Sequence, residues 1–195
     1  MENIEEYKSQ LREKYPINGE DGTVYYCRSA RKLLRRLNNP HTLILTVGVQ
    51  GAGKTTFCQK NLSEYARINI DEMLLDYVRT HNELVTPEIN RELNILFYKR
   101  IGRALWFGSV IVEANFVSTK IRYNIINEFR ESCNKIVLLV FNPPKSTIIS
   151  HIRQDLVRRL RPGLWEDVDK EYDYLNFQIQ NNILSIGVDE VIFIE

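Results

Sequence analysis

The chain has 195 residues, with 44% hydrophobic and 26% charged residues and a formal net charge of +1. That profile fits a single folded domain and excludes a disordered chain, and the small net charge leaves any nucleic-acid contact to a local basic patch. The longest apolar runs, such as Lys135–Phe141, are too short to cross a bilayer, and the acidic Met-Glu-Asn-Ile-Glu-Glu start carries no secretory or mitochondrial signal. Three cysteines, Cys27, Cys58 and Cys133, show no CxxC pairing, so neither a disulfide framework nor a zinc site is expected. The expectation is a cytoplasmic protein with free thiols.

In chain order, Ile4–Lys14 reads as a helix followed by turn signals at Pro16, Asn18, Gly19 and Gly22. Val24–Leu37 reads as a second helix, stopped by Asn38-Asn39-Pro40. Residues 1–40 are thus expected as an N-terminal helical extension, and 41–195 as the main domain. From His41 onward, short apolar runs alternate with amphipathic segments. Strands are predicted at Thr42–Val47, Arg67–Ile70, Ser109–Glu113, Lys135–Phe141 and Glu190–Ile194. Helices are predicted at Thr55–Tyr65, from Asp71, from Thr86-Pro87-Glu88 to Trp106, and at Thr119–Ser132, Ser146–Arg161 and Trp165–Asn182. Such alternation predicts an α/β three-layer sandwich with a mainly parallel five-stranded sheet, whose ligands bind beyond the carboxyl ends of the strands.

Gly48-Val49-Gln50-Gly51-Ala52-Gly53-Lys54-Thr55 matches GxxxxGK[ST] in full, between a predicted strand and a predicted helix. Glycines let successive amides curl around an anion, and the helix that follows aims its positive end at the same phosphates. Lys54 supplies a point charge. The Thr55 hydroxyl is a hard ligand for Mg²⁺, and Thr56 completes the expected nucleotide cradle. The Asn-Lys-x-Asp element of GTPases is incomplete at Asn134-Lys135-Ile136-Val137, no ABC signature occurs, and the chain is short for an AAA+ module with a helical lid domain. A small kinase remains. Asp71 ends the predicted second strand, where a carboxylate can take the proton of an attacking hydroxyl; the alternative is that it caps the next helix. His151–Arg161 is rich in arginine and suits a lid, about residues 151–163, that neutralises transferring phosphates; the alternative is a solvated helix face.

These parts resemble the polynucleotide 5′-hydroxyl kinase and zeta-toxin-like group of P-loop kinases. The resemblance rests on the phosphate loop, Asn69-Ile70-Asp71, Val110-Ile111-Val112-Glu113-Ala114-Asn115 and Arg153–Arg161, and spans about His41–Glu195. It implies ATP and Mg²⁺ at Lys54 and Thr55, Asp71 as the base, Glu113 as a second metal ligand, and Arg158 or Arg159 as the lid arginine on the phosphates, with Arg153 on the nucleotide. Glu113 stands where the group more often has Asp, and Ala114 where Thr or Ser is frequent. The acceptor stays open among a polynucleotide 5′-hydroxyl, a nucleoside, sugar or nucleotide-sugar, and none at all, in a regulatory ATP-binding module or slow ATPase. Arg28, Arg31, Lys32, Arg35 and Arg36 form a basic helix face that suits either a nucleic acid or plain solvent. Tyr77, Tyr98 and Trp106 are candidates for base stacking, although helical spacing favours core positions.

Overall fold

The computed structural model describes residues 23–27, 41–81, 86–154 and 164–194. Six strands form one sheet: β1 (Thr23–Cys27), β2 (Thr42–Val47), β3 (Ala66–Asn69), β4 (Val110–Glu113), β5 (Lys135–Phe141) and β6 (Glu190–Ile194). Their order across the sheet is β1-β6-β5-β2-β4-β3, and every pairing is parallel. The helices are α1 (Lys54–Asn61), α2 (Ile70–His81), α3 (Pro87–Phe107), α4 (Thr119–Phe129), α5 (Lys145–Gln154) and α6 (Leu164–Gln180). None among the described residues is long and apolar enough to cross a membrane.

The five expected strands are present within a residue or so of their predicted bounds, and for β2, β4 and β5 the reason is that fully buried parallel strands demand unbroken apolar runs. Every residue of β2 and β4 is buried, as are Ile136–Phe141 of β5. A sixth strand corrects the sequence reading. Thr23–Cys27 pairs with β6 from Thr23↔Glu190 to Cys27↔Ile194, where a helix over Val24–Leu37 was expected. Val24-Tyr25-Tyr26 is strongly β-prone, and pairing with β6 decides the contest in favour of extended backbone. The expected helix Ile4–Lys14, the basic face from Arg28 to Arg36 and the segment 155–163 lie outside the described residues.

Helix starts follow their capping chemistry. Thr86 Oγ1 accepts from the Ile89 amide at 3.3 Å, with Pro87 at the first helical position of α3. Ser118 does the same for Ile121 at the start of α4, at 3.5 Å. β2 lies between β4 and β5, and the chain visits β4 on one side of β2 before β5 on the other. Connections therefore diverge at the carboxyl end of β2, which opens a crevice there.

Candidate active site

The phosphate loop leaves β2 at that crevice. Gly48 has φ 156°, and a Cβ on it would come within 2.6 Å of the Phe141 carbonyl oxygen, so only glycine fits beside the end of β5. Gly53, at φ 89°, is the N-cap of α1. A glycine N-cap offers no side-chain acceptor, so the first-turn amides of α1 are left to another acceptor, and the helix dipole favours an anion. Lys54 folds back over the loop, its Nζ donating to the Gly48 and Val49 carbonyls at 2.5 and 3.0 Å. Gln50 and Gly51 are half-buried, Ala52 is buried and Thr56 is exposed. α5 packs on the loop from the other side, where His151 Nδ1 lies 2.9 Å from the Gly51 carbonyl oxygen.

Opposite the loop stands Glu113, at the carboxyl end of β4 and only 2% exposed. Thr55 Oγ1 donates to its Oε2 at 2.6 Å, Arg67 Nη1 to its Oε1 at 2.9 Å, and Asn69 Nδ2 to its Oε2 at 3.3 Å. The other side of the Arg67 guanidinium grips both oxygens of Glu72 at 2.8 Å. Burial works to lower the Arg67 pKa, but its hydrogen bonds to the Glu113 and Glu72 carboxylates, with their negative charge, outweigh it and the net shift is upward. A buried carboxylate is thereby kept company by a permanent cation. Register places Thr46 level with Glu113, and the Thr46 hydroxyl is buried with no hydrogen-bond partner among the described residues.

This donor set fits a magnesium ion. The Thr55 hydroxyl and the Glu113 carboxylate are hard oxygens within one hydrogen bond of each other, beside the loop that would hold the phosphates. Among the described residues no three His, Cys, Asp or Glu side chains gather as a metal cage.

Asp71 lies in the first turn of α2, exposed, at the carboxyl end of β3. The cap of that helix is Asn69, whose Oδ1 accepts from the Asp71 and Glu72 amides at 2.8 and 3.2 Å. The competing structural role for Asp71 is therefore filled by its neighbour, and its carboxylate has no partner among the described residues. Arg153 belongs to α5, and its side chain, like Arg158 and Arg159 entirely, lies outside the described residues.

Four further residues shape the site, and the sequence reading assigned a role to none of them, Asn69 being named there only as part of a motif. Arg67 and Asn69 alternate along β3, so a period of two sets both on the face of Glu113. Arg122, 2% exposed, donates from Nη1 to the Phe116 carbonyl at 2.7 Å and from Nη2 to Gln178 Oε1 at 2.8 Å. Gln178 Nε2 in turn donates to the Val117 carbonyl at 2.8 Å. Together they clasp the loop behind Glu113 to α6, helped by Thr119 with Tyr174 at 2.8 Å and Asn115 with Glu171. Burial pushes the Arg122 guanidinium down to about 10. Of the stacking candidates, Tyr98 packs against Phe97 and Phe129 and Tyr77 stacks on His81, whereas Trp106 is 81% exposed. Cys58 is buried and its thiol is pushed up to about 12, chiefly by burial, so it is inert.

Known proteins share this fold. A chain of the Pnkp1/Rnl/Hen1 RNA repair complex superposes with a TM-score of 0.62 at 19% identity, over 75% of this chain and 48% of its own length. The present chain thus spans about half of that one. A protein of Chloroflexus aurantiacus, proposed to be a kinase, superposes with a TM-score of 0.56 at 15% identity, over 78% of this chain and 87% of its own. At such identities the likeness is one of fold: a parallel α/β sheet carrying a phosphate loop. No curated protein sequence matches the chain. Residues 43–168, from β2 into α6, match the AAA domain family AAA_33. With that family match covering more than half of its length, the chain belongs to the AAA_33 family of AAA domains, in its P-loop kinase-like form.

Proposed function

We propose that this protein is an ATP-dependent kinase that transfers the γ-phosphoryl group to a hydroxyl, with a polynucleotide 5′-hydroxyl as the acceptor. The observation that carries the reading is the exposed Asp71 carboxylate, relieved of capping by Asn69, at the same end of the sheet as the phosphate loop. In this reading the loop amides and Lys54 hold the phosphates of ATP, and Lys54 exchanges its two loop carbonyls for them. Thr55 and Glu113 hold a magnesium ion, which offsets phosphate charge when bound. Asp71 takes the proton of the attacking hydroxyl as its oxygen bonds to phosphorus and the bond to ADP breaks. The lid spans about 151–163, and Arg158 or Arg159 closes on the transferring group, with Arg153 on the nucleotide. Support for the polynucleotide acceptor comes from the fold likeness to a chain of an RNA repair complex.

The test is transfer of label from γ-labelled ATP, with Mg²⁺, to a 5′-hydroxyl oligonucleotide, beside a panel of nucleosides and sugars. Label on the oligonucleotide alone is the expected result. Label on a small alcohol alone moves the acceptor to that class, and binding without any labelled acceptor sinks the kinase. Asp71→Asn is expected to cut turnover by about 100-fold or more while leaving ATP affinity nearly unchanged. A collapse of ATP affinity would make Asp71 a binding residue instead.

A further inference from the structure

A second concave surface lies away from the phosphate loop, at the outer edge of the sheet. β3 is the terminal strand on that side, and the cleft of about 660 Å³ lies between its beginning and the end of α3. Its walls carry Tyr65, Arg67, Arg100, Arg103 and Phe107, with Glu64 as the acid. Arg100, Arg103 and Phe107 follow at i, i+3 and i+7, so one stripe of α3 faces the cleft. Within that stripe Phe107 is 79% exposed, and Tyr65 faces it as a half-buried ring. Arg67 is already engaged by Glu113 and Glu72, whereas Arg100 and Arg103 have no acidic partner among the described residues.

Two cations beside the rings of Phe107 and Tyr65 match the chemistry of a nucleic-acid single strand. Guanidinium groups track phosphates while ring faces take bases without regard to sequence. The last-turn carbonyls of α3 repel an anion. Phosphates therefore belong one to two turns back, beside Arg100 and Arg103, and the bases belong at the helix end, on Phe107. A peptide strand is the poorer occupant: β3 offers an edge of only four residues, and Arg100, Arg103 and Ala104 of α3 flank it. We propose that the cleft between β3 and the end of α3 binds single-stranded nucleic acid, as a groove separate from the site of phosphoryl transfer. Four residues of β3 at 3.3 Å each separate it from the carboxyl end of the sheet by roughly 13 Å, so a strand held there can also extend towards Asp71. Binding in the groove does not depend on the kinase reading.

The measurement is fluorescence anisotropy of a 3′-labelled 12-mer oligoribonucleotide titrated with the full chain, without ATP, across a salt series. Arg100→Glu/Arg103→Glu is expected to weaken binding more than tenfold and to flatten the salt slope by about 1.4, the value for two phosphate contacts on a single strand. Phe107→Ala is expected to weaken binding roughly tenfold. These side chains are exposed, and circular dichroism checks that the variants fold. Unchanged affinity in both variants overturns the groove. So does displacement of the oligonucleotide by polyglutamate at equal charge concentration, which would make the surface a site for acidic peptides. A dimer that dissociates on Phe107→Ala while oligonucleotide affinity holds would make it a contact between copies. Label transfer from ATP is measured in parallel. Loss of binding in the variants with no acceptor labelled by the unaltered chain sinks the kinase reading alone. Labelling with unaltered binding in the variants sinks the groove alone.

Discussion

Two buried charges flank the carboxyl end of β4, and they are handled in opposite ways. Glu113, facing the phosphate loop, sits against the Arg67 cation and accepts hydrogen bonds from Thr55 and Asn69. Arg122, equally buried behind the next loop, has no carboxylate among its described partners and is held by a backbone carbonyl and the neutral amide of Gln178. Among the described residues the first charge is met only by hydrogen-bond donors, which a cation can replace at its oxygens. The second is a clasp, in which a cation is used for its reach and its fork of donors, at the cost of desolvation. In the proposed kinase, chemistry belongs on the charge-rich side, and rigidity on the neutral one.

The hardest blow to this division is struck at Lys54. With its ammonium removed in Lys54→Ala, phosphoryl transfer is expected to fall by about 2.7–4 kcal/mol of transition-state stabilisation, a loss of 100-fold or more. Circular dichroism checks the fold, because the partners of Lys54 that lie in the loop are the carbonyls of the buried Gly48 and Val49. Near-wild-type labelling of an acceptor would remove catalysis from the charge-rich side altogether. Next comes Arg67→Met, which strands Glu113 without its cation and is expected to cost about 3 kcal/mol in urea unfolding, the low end for breaking a buried pair. Adding Glu113→Gln should recover much of that loss. If the double variant is no more stable than Arg67→Met alone, Glu113 is not relying on charge compensation.

Arg122→Met tests the neutral side. It removes two donors and leaves the Phe116 carbonyl and Gln178 short of partners, for an expected loss of about 2 kcal/mol. There is no acid to delete in compensation. Instead the double variant with Gln178→Leu should lose less than the two single losses added together, since each removes the same contact. Strict additivity would show that the clasp is not a unit.

This contrast also explains what was legible in the sequence. The phosphate loop is read directly because its backbone geometry demands glycine at fixed spacing within eight consecutive residues, and β2, β4 and β5 because full burial demands apolar runs. Arg67 and Asn69 were within reach, since β3 itself was predicted and alternation would have set both beside Glu113. The clasp was not: Arg122 and Gln178 are 56 residues apart, and nothing in either neighbourhood marks the other. β1 was misread for a similar reason. The leucines and basic residues from Arg28 to Leu37 carry a helical period that overwhelmed Val24-Tyr25-Tyr26, and the strand that selects the extended form, β6, is the last element of the chain.

A more exposed charged pair, at the far end of the sheet, sets the scale for both. Arg130 grips Asp189 through two hydrogen bonds of 2.7 and 2.8 Å, and Asp189 also accepts from the Ile136 amide at 2.7 Å where β5 begins. The hydrogen bonds from Arg130 hold the Asp189 carboxyl below its ordinary value of 3.8; burial opposes them, and the Ile136 amide reinforces them. The side chains are 46% and 32% exposed, so solvent screens the pair and Asp189→Asn should cost only about 0.5–1 kcal/mol at pH 7. Asparagine keeps an acceptor for the Ile136 amide, so the loss is that of the charge. Because the folded-state pKa is depressed, the unfolded chain binds the more protons between the two values, and the stabilisation is present above 3.8 and lost as pH falls through the folded value. Urea midpoints of the two proteins should therefore converge as pH drops from 7 towards 3. A gap that stays constant over that range would mean Asp189 acts through shape rather than charge, which would place it with Arg122 on the neutral side of the comparison.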